Sequence, residues 1–240
     1  MLPSALFLCN KMYAMSAART AQNILRAFGF VLLAATIGAC SPSEDRRAEL
    51  AKIHEKQAKT YLNSGQYRAA IIEARNVIQK TPTDTSGYVL LATILAELGQ
   101  HKNALSVLEQ APGGENNQAF TALKIESLLG RGKFSSALDA LEDPANAALA
   151  NSDQGMYFRA RSLAGLERPD EAIATLKKLL AKAPDDVDAL VALADISISS
   201  GDIKNGKMFL QQAQALAPKH IDANMLSAKI SINAGDYATA

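Results

Sequence analysis

Residues 65–70 read Gly65-Gln66-Tyr67-Arg68-Ala69-Ala70, and residues 235–240 read Gly235-Asp236-Tyr237-Ala238-Thr239-Ala240. A Gly with an Ala five places on recurs at a fixed rhythm between these two stretches, and a Tyr two places after the Gly marks both of them. Gly65, Gly99, Gly132, Gly201 and Gly235 share one register, with Glu167 in the fourth slot. Seven positions before each stands Ala58, Ala92, Ile125, Ala160, Ala194 or Ala228, at spacings of 34, 33, 35, 34 and 34. Twelve after each of these come Ala70, Ala104, Ala137, Ala172, Gly206 and Ala240. Tyr61, Leu95, Leu128 and Leu163 fill a large apolar register that Ser197 and Ser231 break, and Pro82, Pro184 and Pro218 close three units. Self-similarity at such a period is the mark of a repeat architecture.

Each register has a physical reason. Small residues let paired helices approach closely, Gly ends a helix because it takes φ > 0 without penalty, and Pro cannot continue one. Ile173, Leu176, Leu179 and Leu180 recur at the three- and four-residue spacing of a buried helical stripe. Ala occurs 44 times, aromatics make up 5% and Trp is absent, as close-packed helices require.

The period and the G-x-Y-x-x-A turn resemble the tetratricopeptide repeat. The resemblance implies an all-α, right-handed superhelical solenoid of helix-turn-helix units: 51–84, 85–117, 118–152, 153–186, 187–220 and an incomplete 221–240. Residues 41–50 form a short linker and helix start. Pro112-Gly113-Gly114 and Pro144 are expected to cut short the second helices of units two and three, weakening any groove over 118–151. Met225, Ala228 and Ile232 on the last first-helix lack a following partner, so the chain is expected to be a fragment of a longer array.

In tetratricopeptide arrays the first helices line a concave groove through repeat positions two, five, nine and twelve. Carried over, positions five and nine give Glu55 and Lys59, Val89 and Thr93, Tyr157 and Arg161, Val191 and Asp195, Met225 and Lys229 as the partner-binding set. The third unit contributes Ala122 and Glu126. Position twelve gives Leu62, Ala96, Leu129, Ala164, Ile198 and Ile232. An apolar floor crossed by charges suits an extended peptide or a partner helix. Tyr157 and Arg161 lead the set, because aromatics and Arg dominate interface energies. Position five carries no cation and position nine no Asn, so a clamp for a C-terminal carboxylate is not expected.

Residues 1–40 contain Lys11, Arg19 and Arg26 and no acid. The uncharged run Ala27–Ala39 is short of the roughly 18–20 residues that span a bilayer and fits the apolar core of a secretory signal. It ends in Ile37-Gly38-Ala39-Cys40, which resembles the lipobox of bacterial lipoproteins. That resemblance implies a signal peptide over 1–40, acyl chains on Cys40, and, with Ser41 following, an outer-membrane anchor facing the periplasm. Met15 offers an alternative start that makes 1–14 superfluous. Cleavage just before Cys40 removes three basic residues, turns the net charge of +1 negative and leaves Cys40 as the single cysteine.

Catalytic and metal-binding constellations are not expected, nor a cofactor. His54, His101 and His220 fall in different units. Asp185-Asp186-Val187-Asp188 sits where a helix start favours carboxylates. Gly130-Arg131-Gly132-Lys133 lacks the strand and spacing of a phosphate loop. A charged fraction of 20% with a near-neutral balance excludes a nucleic-acid binder. The sequence therefore points to a non-enzymatic scaffold that binds protein or peptide partners and meets the membrane through lipid on Cys40. Tyr67-Arg68-Ala69-Ala70-Ile71-Ile72-Glu73 is similar to the start of exosortase-associated tetratricopeptide lipoproteins, implying a role in exopolysaccharide export or surface protein sorting. The alternatives are a pilus- or outer-membrane-assembly lipoprotein, or the regulatory front of an enzyme continuing past residue 240.

Overall fold

The computed structural model describes residues 43–114 and 117–233. The chain divides into Met1–Glu49 and Leu50–Ala240. Of the first unit, residues 43–49 are described: Ser43 precedes helix α1 (Glu44–Asn63), and residues 44–49 open it. The second holds the array: α2 (Tyr67–Lys80), α3 (Thr85–Glu97), α4 (His101–Leu108), α5 (Gln118–Gly130), α6 (Phe134–Glu142), α7 (Ala147–Ala150), α8 (Asp153–Gly165), α9 (Pro169–Lys182), α10 (Val187–Ser199), α11 (Ile203–Leu216) and α12 (Ile221–Asn233). A 3₁₀ turn, Pro144–Asn146, precedes α7. Strands are absent among the described residues.

The small-residue registers are the contact lines between helices. Ala58, Ala92, Ile125, Ala160 and Ala194 are fully buried on the first helices, as are Ala70, Ala104, Ala137 and Ala172 on the second. In unit five the second register holds Gly206. A Cβ there would lie 2.9 Å from the Ala194 carbonyl oxygen and would overlap the Ile198 side chain, so α11 approaches α10 more closely than an Ala allows.

One hydrogen-bond pattern turns every described pair. The N–H groups of Gln66, Gln100, Lys133, Arg168 and Asp202 each donate back five residues, to the carbonyls of Tyr61, Leu95, Leu128, Leu163 and Ser197, at 2.8–2.9 Å. This closure needs a left-handed residue just before the donor. Gly65, Gly99, Gly132 and Gly201 supply it, and Glu167 adopts φ 60° in the same slot. Ser197 thus keeps the backbone role of the large apolar register while abandoning its side chain.

The other end of each unit is also patterned. Thr81, Ala183 and Ala217 precede Pro82, Pro184 and Pro218 and leave helical geometry with φ of −130°, −128° and −137°. The clash with the proline ring disfavours the α region there. The next helix is then capped by Asp84, Asn117, Ser152 or Asp186, whose side chains accept from the N–H groups of Ser86, Phe120, Gly155 and Ala189. His220 holds this register in unit six, and its Nδ1 accepts from the Ala223 N–H at 3.4 Å.

Candidate functional site

Helices α8, α10 and α12, the first helices of units four to six, line a groove of about 580 Å³. Because they are stacked one repeat apart, equivalent positions form rows. Tyr157, Val191 and Met225 make one row, and Arg161, Asp195 and Lys229 the next. Ala164, Ala192, Ile196 and Leu226 add apolar surface, and Phe134 enters from α6. The Phe134 ring occupies the space that a Cβ on Gly165 would need, so this glycine is what admits the ring to the groove wall.

The Arg161 guanidinium carbon lies 5.7 Å from the centre of the Tyr157 ring, one helical turn away and within reach of a cation–π attraction. The Tyr157 phenol is held above its ordinary range. Burial is the main cause; Arg161 opposes it, and Asp188 and Asp222 reinforce it. The Lys229 ammonium lies 3.4 Å from Asp195 Oδ1, an ion pair between residues 34 apart.

A third row was not assigned from the sequence. Asp188 and Asp222 hold repeat position two of units five and six and also face the groove. The register that yields Tyr157 and Arg161 yields them as well, once position two is written out. Their ligand atoms and those of His220 all lie within 4.8 Å of one another. The sequence separation of 32 between Asp188 and His220 concealed this proximity, which stacking creates.

The cluster has three metal-ligating groups, yet its hydrogen bonds oppose a metal. His220 Nδ1 accepts the Ala223 N–H at 3.4 Å, an arrangement that assigns the proton of a neutral ring to Nε2, 3.1 Å from Asp188 Oδ1. A metal on Nε2 would need that proton moved to Nδ1, where it would face the amide hydrogen it now receives.

Of the ten expected partner-binding residues, Tyr157, Arg161, Val191, Asp195, Met225 and Lys229 are brought together. The other four are not part of this groove. Lys59 donates to Glu55 at 2.6 Å on the exposed face of α1. Val89 packs against the core of the first units, and the Thr93 hydroxyl donates to its carbonyl. Cys40 and the rest of 1–42 lie outside the described residues. His54 is tied to Glu73 on α2 at 2.6 Å, and Gly130–Lys133 form the turn between α5 and α6. Among the described residues no helix is long and apolar enough to cross a membrane.

A family model described as tetratricopeptide repeat matches residues 163–230, and one described as anaphase-promoting complex, cyclosome, subunit 3 matches 63–144. No curated protein sequence matches the chain. Among solved structures it is similar to PilW, a widely conserved type IV pilus biogenesis factor, at 18% identity and TM-score 0.65, over 79% of this chain and 88% of that one. A thermophilic tetratricopeptide protein of Thermus thermophilus aligns at 21% identity and TM-score 0.62, over 79% and 100%. YrrB, a tetratricopeptide protein with an unusual peptide-binding site, aligns at 17% identity and TM-score 0.52, over 79% and 98%. The fold is the tetratricopeptide solenoid.

Proposed function

We infer that the chain is a non-enzymatic scaffold that captures an extended segment of a partner protein in the groove of α8, α10 and α12. The observation that carries this reading is the set of rows itself. Three helices place Tyr157, Val191 and Met225 beside Arg161, Asp195 and Lys229, so a chain laid across them meets apolar and charged surface alternately. Met225 is 65% exposed, an apolar side chain left open at the mouth. Burying it against a partner is favourable at about 25 cal/mol per Å² of apolar surface. The likeness in fold to a protein noted for its peptide-binding site supports the same reading.

The scaffold is tethered to the bacterial cell envelope by acyl chains on Cys40 and faces the periplasm from the outer membrane. The support is the lipobox-like stretch Ile37–Cys40 behind its basic start and apolar run. Each buried CH₂ contributes about 0.8 kcal/mol, so several chains anchor stably. The role is export of exopolysaccharide or sorting of surface proteins, on the resemblance of Tyr67–Glu73. Pilus assembly is the second reading, favoured by the likeness in fold to PilW.

Paired Tyr157→Ala and Arg161→Ala substitutions test the groove. Partner capture from envelope extracts by the immobilised chain drops at least about tenfold, the loss of one interface anchor, while the helical circular dichroism is retained. Unchanged capture defeats the groove. Cys40→Ser leaves the protein unlipidated and in the soluble fraction; firm membrane association of that variant defeats the tether. Deletion separates the roles, since loss of pili favours assembly and loss of exopolysaccharide or sorted proteins favours the first.

A further inference from the structure

The charges of the groove are unequally matched. Lys229 is paired with Asp195, and Arg161 lies over the Tyr157 ring. His220 Nε2 meets one oxygen of Asp188 at 3.1 Å, and its Nδ1 accepts the Ala223 N–H. Asp188 and Asp222 are then left as two neighbouring carboxylates, with no Lys or Arg ion-paired to either among the described residues. Each is the second residue of its helix, so the positive helix end favours it. That favour acts within each helix and leaves the repulsion between the two in place.

Resting on the groove reading above, we propose that the captured segment is cationic, with a Lys or Arg side chain set between Asp188 and Asp222 and a neighbouring apolar side chain on Val191, Met225 and Leu226. A cation there relieves the mutual repulsion and forms charge-assisted hydrogen bonds with oxygens that His220 does not use. An acidic segment meets like charge at the same place. A bound divalent metal would satisfy the carboxylates too, but the His220 cap works against its third ligand.

The test is a selection of displayed random peptides on the full chain, at low salt with a chelator present. Lys or Arg next to an apolar residue is enriched. The synthetic version of an enriched peptide binds roughly fivefold more tightly than its Lys→Gln counterpart, as a partly exposed ion pair allows. Added salt narrows the gap. Asp188→Asn with Asp222→Asn abolishes the preference but keeps binding of the Gln peptide, while Asp188→Glu with Asp222→Glu retains the preference. Tyr157→Ala weakens both peptides.

Enrichment of neutral or acidic peptides overturns the cationic partner while leaving the groove standing, provided Tyr157→Ala still weakens them. A preference that survives the Asn pair does the same. So does one that appears only when the chelator is replaced by a divalent metal. Peptides indifferent to Tyr157→Ala, or no selected peptide at all, defeat both readings together.

Discussion

Units two and three have the same defect and handle it differently. Their second helices stop after 8 and 9 residues, where α2, α9 and α11 run for 14. In unit three the missing turns are replaced: the 3₁₀ turn and α7 bring Leu149 into the cluster of Ile125, Leu141 and Phe158, where it is 2% exposed. In unit two nothing equivalent is present among the described residues, and a cavity of about 430 Å³ remains beside Leu105, Leu108 and Phe120. The turn is held instead by the Thr85 hydroxyl, which donates to the Pro112 carbonyl at 2.6 Å, and by the Phe120 ring lying on Gly114. A stacked array tolerates a lost turn either by filling the space or by leaving it, because each unit needs only its neighbours.

Leu149→Ala is the sharpest way to break that comparison. If α7 replaces core, the substitution costs about 2–5 kcal/mol, as for a helix-borne leucine such as Leu141. A loss near zero in chemical denaturation would make α7 a mere connection. The next largest effect concerns the regular units. Gly206→Ala forces a Cβ against Ile198 and the Ala194 carbonyl and costs about 1–3 kcal/mol through overpacking. The equivalent Ala172 fits without strain in unit four, so a neutral Gly206→Ala would mean that the α10–α11 pair opens freely to unit-four spacing.

The same contrast separates what the sequence discloses from what it hides. The period, the helix pairs, the buried Ala registers and the shortened helices are legible, because each depends on local residue type: Ala for close approach, Gly for φ > 0, Pro for termination. Glu167 was legible only as an exception, and the backbone turn survived it. The capping register of Asp84, Asn117, Ser152 and Asp186 was equally present in the letters. It is masked by its chemical variety, and His220 at its end reads as an isolated histidine until the helix start is seen. The groove is harder. Its rows follow from the repeat register, yet whether a row faces open space depends on which helices stack closely. Val89 and the equivalent Tyr157 both lean on core, but of the two Tyr157 also lines the groove.

The smallest expected effect asks whether the groove differs electrostatically from an ordinary solvated face. The Tyr157 phenol is raised from 10.0 by burial first, with Arg161 opposing and Asp188 and Asp222 adding to it. As pH climbs past 10.0 the unfolded chain loses this proton while the folded chain keeps it. The folded state then binds more protons, so stability falls with rising pH in that window and is fully present below it. Tyr157→Phe removes that part of the alkaline loss. Arg161→Gln removes the opposing cation, raises the phenol further and steepens the loss. Replacing Asp188 and Asp222 by Asn lowers it. Ultraviolet phenolate titration of the chain against Tyr157→Phe isolates the group, with thermal melts across the same range. A phenol that titrates at or below its ordinary value would show that Tyr157 stands in water, and that the groove of units four to six is no more enclosed than the exposed face of α1.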